Sequence, residues 1–127
     1  MAAPLTIAVK RIHEPAGPSD GARFLVDRLW PRGVSKEKAA LAAWLKPLSP
    51  SDGLRKTYHG ATADSDEAWD AFRRDYCAEL DAGGEEVRAA RFTLDAAASA
   101  GPVTLVYAAK DPERNNAVAL REWLLAR

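Results

Sequence analysis

The sequence predicts an α/β fold: a single compact domain with a small, mostly parallel sheet of about four strands flanked by helices. Three observations carry that expectation. Val103 to Ala108, reading Val-Thr-Leu-Val-Tyr-Ala, is apolar on both faces, as a strand covered on both sides must be. Short apolar runs in the first half give way to apolar positions spaced three and four apart in the second, the helical period. The 127 residues supply one domain, 1–127, with one substantial core.

Leu5 to Ile12 alternates and is β-branched enough to form the first strand, with Lys10 and Arg11 near its exit. Glu14 to Gly21, rich in Pro, Gly, Ser and Asp, is a turn-forming loop. It is short for a helical crossover, which leaves a hairpin or a compact loop crossover, the latter preferred. Arg23 to Leu29 is the second strand, stopped by Pro31 and Gly33. Ser35 is placed to cap a brief helix running to about Ala40. Ala42 to Leu48 fits either the last turns of that helix or a third strand. A strand is favoured, because Pro47 inside a continuing helix would cost about 3 kcal/mol.

Ser49 or Ser51 then caps a short helix over Asp52 to Tyr58, and His59 to Asp64 is a polar break. The longest helix follows Asp64 or Ser65, with Asp66 and Glu67 in its first turn, where the helix dipole favours them. Its Trp69, Phe72, Tyr76 and Leu80 share one face, a stripe that is core or interface. Gly83 and Gly84 end it, and Glu85 to Ala98 forms the next helix. After Gly101-Pro102 comes the central strand, 103–108, and its exit loop, Lys110 to Asn116. Asn115 or Asn116 caps the final helix, Ala117 to Ala126.

Composition excludes several classes. Eighteen Lys+Arg balance 18 Asp+Glu, so no global field recruits a polyanion, and a nucleic-acid site would need a local patch. The one cysteine, Cys77, cannot form an internal disulfide or a cysteine-based zinc cluster, and suits a reducing compartment. It falls mid-helix, without the N-terminal dipole that activates a thiol. His13 and His59 show no metal-ligand spacing, and no phosphate-cradling glycine loop is present, so neither metal nor cofactor is expected. No apolar run approaches the ~20 residues of a membrane span, and Met1 to Ile7 lacks a signal-peptide pattern. The expected location is the cytoplasm, without membrane association.

Two strand exits resemble one another. Asp27-Arg28-Leu29-Trp30-Pro31-Arg32-Gly33 and Lys110-Asp111-Pro112-Glu113-Arg114-Asn115-Asn116 each lead from a strand to a capped helix. If the strands are parallel neighbours, both loops open on one rim, at the carboxyl edge where α/β sheets collect ligands. Arg28, Arg32, Lys110 and Arg114 would grip an anion there, since arginine gives two-pronged hydrogen bonds to phosphate or carboxylate. Asn115 and Asn116 would cap the last helix and donate to the ligand. Asp27 would orient an arginine or act as a base, and Tyr107 would be a core aromatic or a hydrogen-bonding acid in the pocket. The expected ligand is therefore a small phosphorylated or carboxylated molecule, bound or turned over by hydrolysis or transfer. The alternatives are a nucleic-acid module on the same edge with Trp30 as a stacking platform, and a homodimeric interaction domain built on Trp69, Phe72 and Tyr76.

Val-Asp-Arg-Leu-Trp-Pro-Arg-Gly at 26–33, preceded by Val-Lys-Arg-Ile and followed by Leu-Val-Tyr-Ala-Ala-Lys-Asp-Pro-Glu-Arg-Asn-Asn-Ala, resembles the YeaO-like family of small bacterial proteins, a branch of a domain-of-unknown-function family. The resemblance runs from about Thr6 to Leu125 and takes in Trp44-Leu45-Lys46, Pro50-Ser51, Leu54-Arg55 and Leu120-Arg121-Glu122. It implies an α/β cytosolic domain and supplies no reaction. Longer relatives carry a cysteine in the segment similar to Leu105 to Lys110, a layout distantly like that of rhodanese. This sequence has none there, which speaks against thiol-dependent chemistry. Some relatives bear a methyltransferase label, but no glycine-rich nucleotide loop is present here to support one.

Overall fold

The computed structural model describes residues 6–58 and 64–126. Leu5 and the segment from His59 to residue 63 lie outside the described residues. Four strands form one sheet in the order β1-β4-β2-β3, every pairing parallel: β1 (Ile7–Arg11), β2 (Ala22–Leu25), β3 (Ala43–Trp44) and β4 (Val103–Tyr107). The central strand is the one whose sequence is apolar throughout, and all five of its residues are buried. Because β4 separates β1 from β2, the connection between them is a loop crossover, not a hairpin. A 3-10 turn, Pro18–Asp20, carries it over the end of β4. Gly21 closes that crossover at φ 64°, and a Cβ there would lie 2.1 Å from the Pro102 carbonyl oxygen, so only glycine fits.

Among the described residues, four of the five helices begin where a side-chain oxygen accepts an orphan N–H. Ser35 caps α1 (Lys36–Ala39), Ser51 caps α2 (Asp52–Thr57) and Ser65 caps α3 (Asp66–Ala82). Helix α4 (Glu85–Ala100) follows the Gly83-Gly84 break. Of the two asparagines at the start of α5 (Asn116–Ala126), Asn115 is the cap, accepting from the Val118 N–H at 3.0 Å.

Alternation along the strands divides the core. Phe24, Val103, Leu105 and Tyr107 face a large cluster filled from α3, α4 and α5 by Phe72, Tyr76, Leu80, Leu94, Leu120 and Trp123. Leu25 and Val106 face the other way, against Ala39 of α1 and Ile12. The α3 stripe is core at Phe72, Tyr76 and Leu80, which are buried, and half-buried at Trp69; the Tyr76 hydroxyl donates to the Leu48 carbonyl.

The first and central strands come within three residues of their expected ranges, while the other two are cut short by more, for separate reasons. The 42–48 segment does pair with β2, through Ala42 N–H to Arg23 O and Leu45 N–H to Leu25 O. It then tightens into a 3-10 turn, Lys46–Leu48, because Pro47 has no N–H to give a ladder. The end of β2 at Leu25, before the expected Leu29, has a different origin that creates the site.

Candidate functional site

After the last regular pairing, Leu25 with Val106, the Val26 N–H still donates to the Val106 carbonyl at 3.1 Å. The next rung of a parallel ladder would run from the Ala108 N–H to the Val26 carbonyl. Side chains take both ends of it instead. The Ala108 N–H donates to Asp27 Oδ2 at 3.0 Å, and the Val26 carbonyl accepts from Asn116 Nδ2 at 2.9 Å. Asn116 Nδ2 also donates to Asp27 Oδ1 at 3.0 Å, closing a bridge between the two strand exits. The backbone groups stay satisfied while the strands part.

The β4 exit loop is ordered to deliver that asparagine. Asp111 Oδ1 accepts the N–H groups of Glu113 and Arg114 at 2.8 and 3.0 Å, which folds the loop into a turn and holds the Asp111 carboxyl below its ordinary range. Asn115 Nδ2 donates to the Asp111 carbonyl while its Oδ1 caps α5. Asn116 enters the first turn of α5 with its amide directed to Asp27.

Between the parted exits lies a cleft of about 420 Å³. Asp27, Arg28, Trp30, Ala108, Arg114 and Asn116 line it from the two exits, and Arg55, Tyr58, Trp69 and Phe72 from α2 and α3. Its aromatic wall is well supported. Trp69 stacks on Phe72 with centroids 5.9 Å apart, and Tyr58 meets Phe72 edge-on at 5.8 Å. The Tyr58 hydroxyl donates to Asp75 Oδ2 at 2.5 Å, and this bond is the main reason its proton is held more tightly than usual. On the opposite side, Trp30 packs edge-on to Trp44 at 5.6 Å and donates to the Val34 carbonyl. Trp44 donates to the backbone carbonyl of Asp27 at 2.6 Å.

Charge is distributed unevenly. The Asp27 carboxylate receives two bonds from neutral donors and, among the described residues, no ion pair. Burial raises its pKa, against the opposing pull of the Asn116 and Ala108 donors and of the more distant Arg55 charge. The arginines are engaged outward. Arg28 Nε lies 3.2 Å and Arg55 Nη1 3.1 Å from Asp52 Oδ1, and Arg114 pairs with Asp66.

The parallel pairing of β2 and β4 brings Asp27, Arg28, Trp30, Arg114, Asn115 and Asn116 to one cleft. Arg32 and Lys110 are exposed and do not line it. Arg32 lies past buried Pro31, where the chain turns away through Gly33 at φ 79°. Tyr107 is also outside the cleft: alternation sends it, with Val103 and Leu105, into the large core, where burial raises its pKa. Nor does Asp27 orient an arginine; Asn116 and Ala108 hold it. Sequence reasoning missed Arg55, Tyr58, Trp69 and Phe72 as site residues. Leu54-Arg55 does sit in the family-like motif, but nothing local says that α2 folds over the strand exits. Among the described residues no group of His, Cys, Asp and Glu could hold a metal ion, and no helix is long and apolar enough to cross a membrane.

A family model described as "Inactive DUF488-N3 subclade" matches residues 6–127. The chain is 42% identical over 120 residues to "Uncharacterized protein YeaO" of Escherichia coli (strain K12), covering 94% of this chain and 97% of that one. It is 34% identical over 121 residues to uncharacterized proteins of Mycobacterium tuberculosis (strain H37Rv) and Mycobacterium bovis, covering 95% of each chain. No solved structure matches. The chain belongs to the DUF488 family, among its YeaO-like members.

Proposed function

We propose that this DUF488 protein binds, without turning over, a small molecule that joins a phosphate or carboxylate to a flat apolar body, and that it does so in the cleft between the β2 and β4 exits. The observation that carries the reading is the state of the arginines. Arg28, Arg55 and Arg114 reach the cleft, and Arg28 and Arg55 share one carboxylate partner, Asp52, which is 58% exposed. Exposed pairs of this kind are worth about 0–1 kcal/mol, so a ligand anion can replace them at little cost. Planar guanidinium groups are suited to that anion, and the aromatic wall of Tyr58, Trp69 and Phe72 to an apolar body.

Binding without chemistry is supported by the cleft's composition. Among the described residues no cysteine, serine, threonine, histidine or lysine lines it, Ala108 and Ala109 stand on the strand exit, and the carboxylate of Asp27 is engaged by the Ala108 and Asn116 donors. The word "inactive" in the family description fits that lining.

Phenyl phosphate, an anion on a flat ring, is a direct probe. Isothermal titration should show binding that weakens about tenfold in Arg55→Ala and in Arg28→Ala, the loss of one charge-assisted bond in each case. Absence of binding, or binding indifferent to all three cleft arginines, would contradict the reading.

A further inference from the structure

The floor of the cleft has the opposite character to its rim. At the β4 exit the Ala108 backbone N–H, a donor suited to an anion, is already taken by Asp27, and so is the Asn116 amide. An anionic group therefore finds these two donors engaged and would face a carboxylate. A carboxylate offers about four acceptor positions, and the two bonds to Asp27 fill half of them. Among the described residues no lysine or arginine comes within ion-pair distance of it, and it lines the cleft. What is unsatisfied at the floor is a demand for donors, while the demand at the rim is for negative charge.

We propose that the ligand's flat body carries N–H groups that donate to Asp27, and that the cleft accepts a mononucleotide with an amino- or amide-bearing base, phosphate outward. The assignment rests on the anion-binding reading above and specifies the other end of the same ligand. An aromatic amino acid has a ring, a donor and a carboxylate too, but its ammonium and carboxylate share one carbon and cannot serve floor and rim separately. In a nucleotide the base edge and the phosphate stand at opposite ends of the sugar. The ring then packs against the wall of Tyr58, Trp69 and Phe72, where apolar contact is indifferent to base identity, and Asp27 supplies the discrimination.

Guanosine 5′-monophosphate and purine riboside 5′-monophosphate make the test, because the second has the same ring system and phosphate but no N–H on its base. Titrated against the wild-type protein, the guanine nucleotide should bind tighter by about ten- to a hundredfold, the worth of hydrogen bonds to a charged acceptor. Asp27→Ala should erase the difference while phenyl phosphate still binds. Should that variant fold poorly, Asp27→Asn and the wild-type comparison alone decide the matter. Equal affinity of the two nucleotides for the wild type, or a preference that survives in Asp27→Ala, overturns the assignment and leaves the anion site standing. If phenyl phosphate and both nucleotides fail to bind, the anion site falls and this assignment with it.

Discussion

Strand β2 is bracketed by two aspartates, Asp20 before it and Asp27 after it, and they have opposite surroundings. Asp20, 8% exposed, accepts from the Gly17 N–H at 3.0 Å, from Lys10 Nζ at 3.2 Å and from Arg23 Nη1 at 2.7 Å. Its own backbone carbonyl accepts from Thr104 Oγ1 of β4, and Arg23 Nε ties the group onward to the Ala39 carbonyl. The Gly17 bond, with help from Lys10 and Arg23, outweighs burial and lowers its pKa. Asp27 has two neutral donors, no ion pair among the described residues, and a pKa raised by burial. One carboxylate is locked into a crossover that fastens three elements. The other is left with spare acceptor capacity on a cleft. An unpaired, perturbed group in a cleft is what ligand sites contain, whereas paired groups hold structure.

The contrast is broken most forcefully at Asp20. Asp20→Ala strands the guanidinium of Arg23, itself only 3% exposed, and should cost about 3 kcal/mol in urea unfolding while leaving phenyl phosphate affinity unchanged. Next in size is the loss at the rim: Arg55→Ala should weaken phenyl phosphate binding about tenfold while shifting stability by less than about 1 kcal/mol, since its pair with Asp52 is exposed. Measured together, the two variants should show a double dissociation between stability and binding.

The titration of the two carboxylates sharpens the comparison. Asp20 has a lowered folded pKa, so its contribution is present above the unfolded value and is lost as pH falls through the folded one. Asp27 has a raised folded pKa, so its contribution is fullest below the unfolded value and declines as pH rises through the folded one. In acidic unfolding series the stability gap between wild type and Asp20→Asn should therefore widen with rising pH, and that for Asp27→Asn should narrow. At neutral pH Asp27→Asn should cost about 1 kcal/mol, because an amide oxygen can accept from only one side of the Ala108 and Asn116 bridge. Smallest of all, Arg32→Ala and Lys110→Ala should alter stability by less than about 0.5 kcal/mol and leave binding as it is, both being exposed and away from the cleft.

The fold was readable because its signals are local. Ser35, Ser51 and Ser65 announce helix starts by side-chain chemistry, and the apolar run at 103–107 can only be an inner strand. The shared rim followed from one topological condition, that β2 and β4 be parallel neighbours, which they are. What escaped was tertiary. Whether Arg32 or Arg28 reaches the cleft depends on the turn at Gly33, and charge alone does not reveal it. Tyr107 and Ala108 are adjacent in sequence, yet alternation buries the first and sets the second on the cleft. The early end of β2 was hidden because Asp27 and Asn116 replace a ladder rung from opposite ends of the chain. Arg55 and Tyr58 join the wall through the packing of α2 beside α3, a contact no local pattern encodes.

The central claim is that ligand chemistry belongs to the carboxyl edge of the sheet and structural chemistry to the amino edge. Amide NMR during titration with phenyl phosphate tests it residue by residue. The account predicts the largest shifts at Arg28, Arg55, Ala108 and Asn116, with Lys10, Gly17 and Arg23 unmoved. Shifts centred on Lys10 to Arg23, or on Arg32 and Lys110, would contradict it.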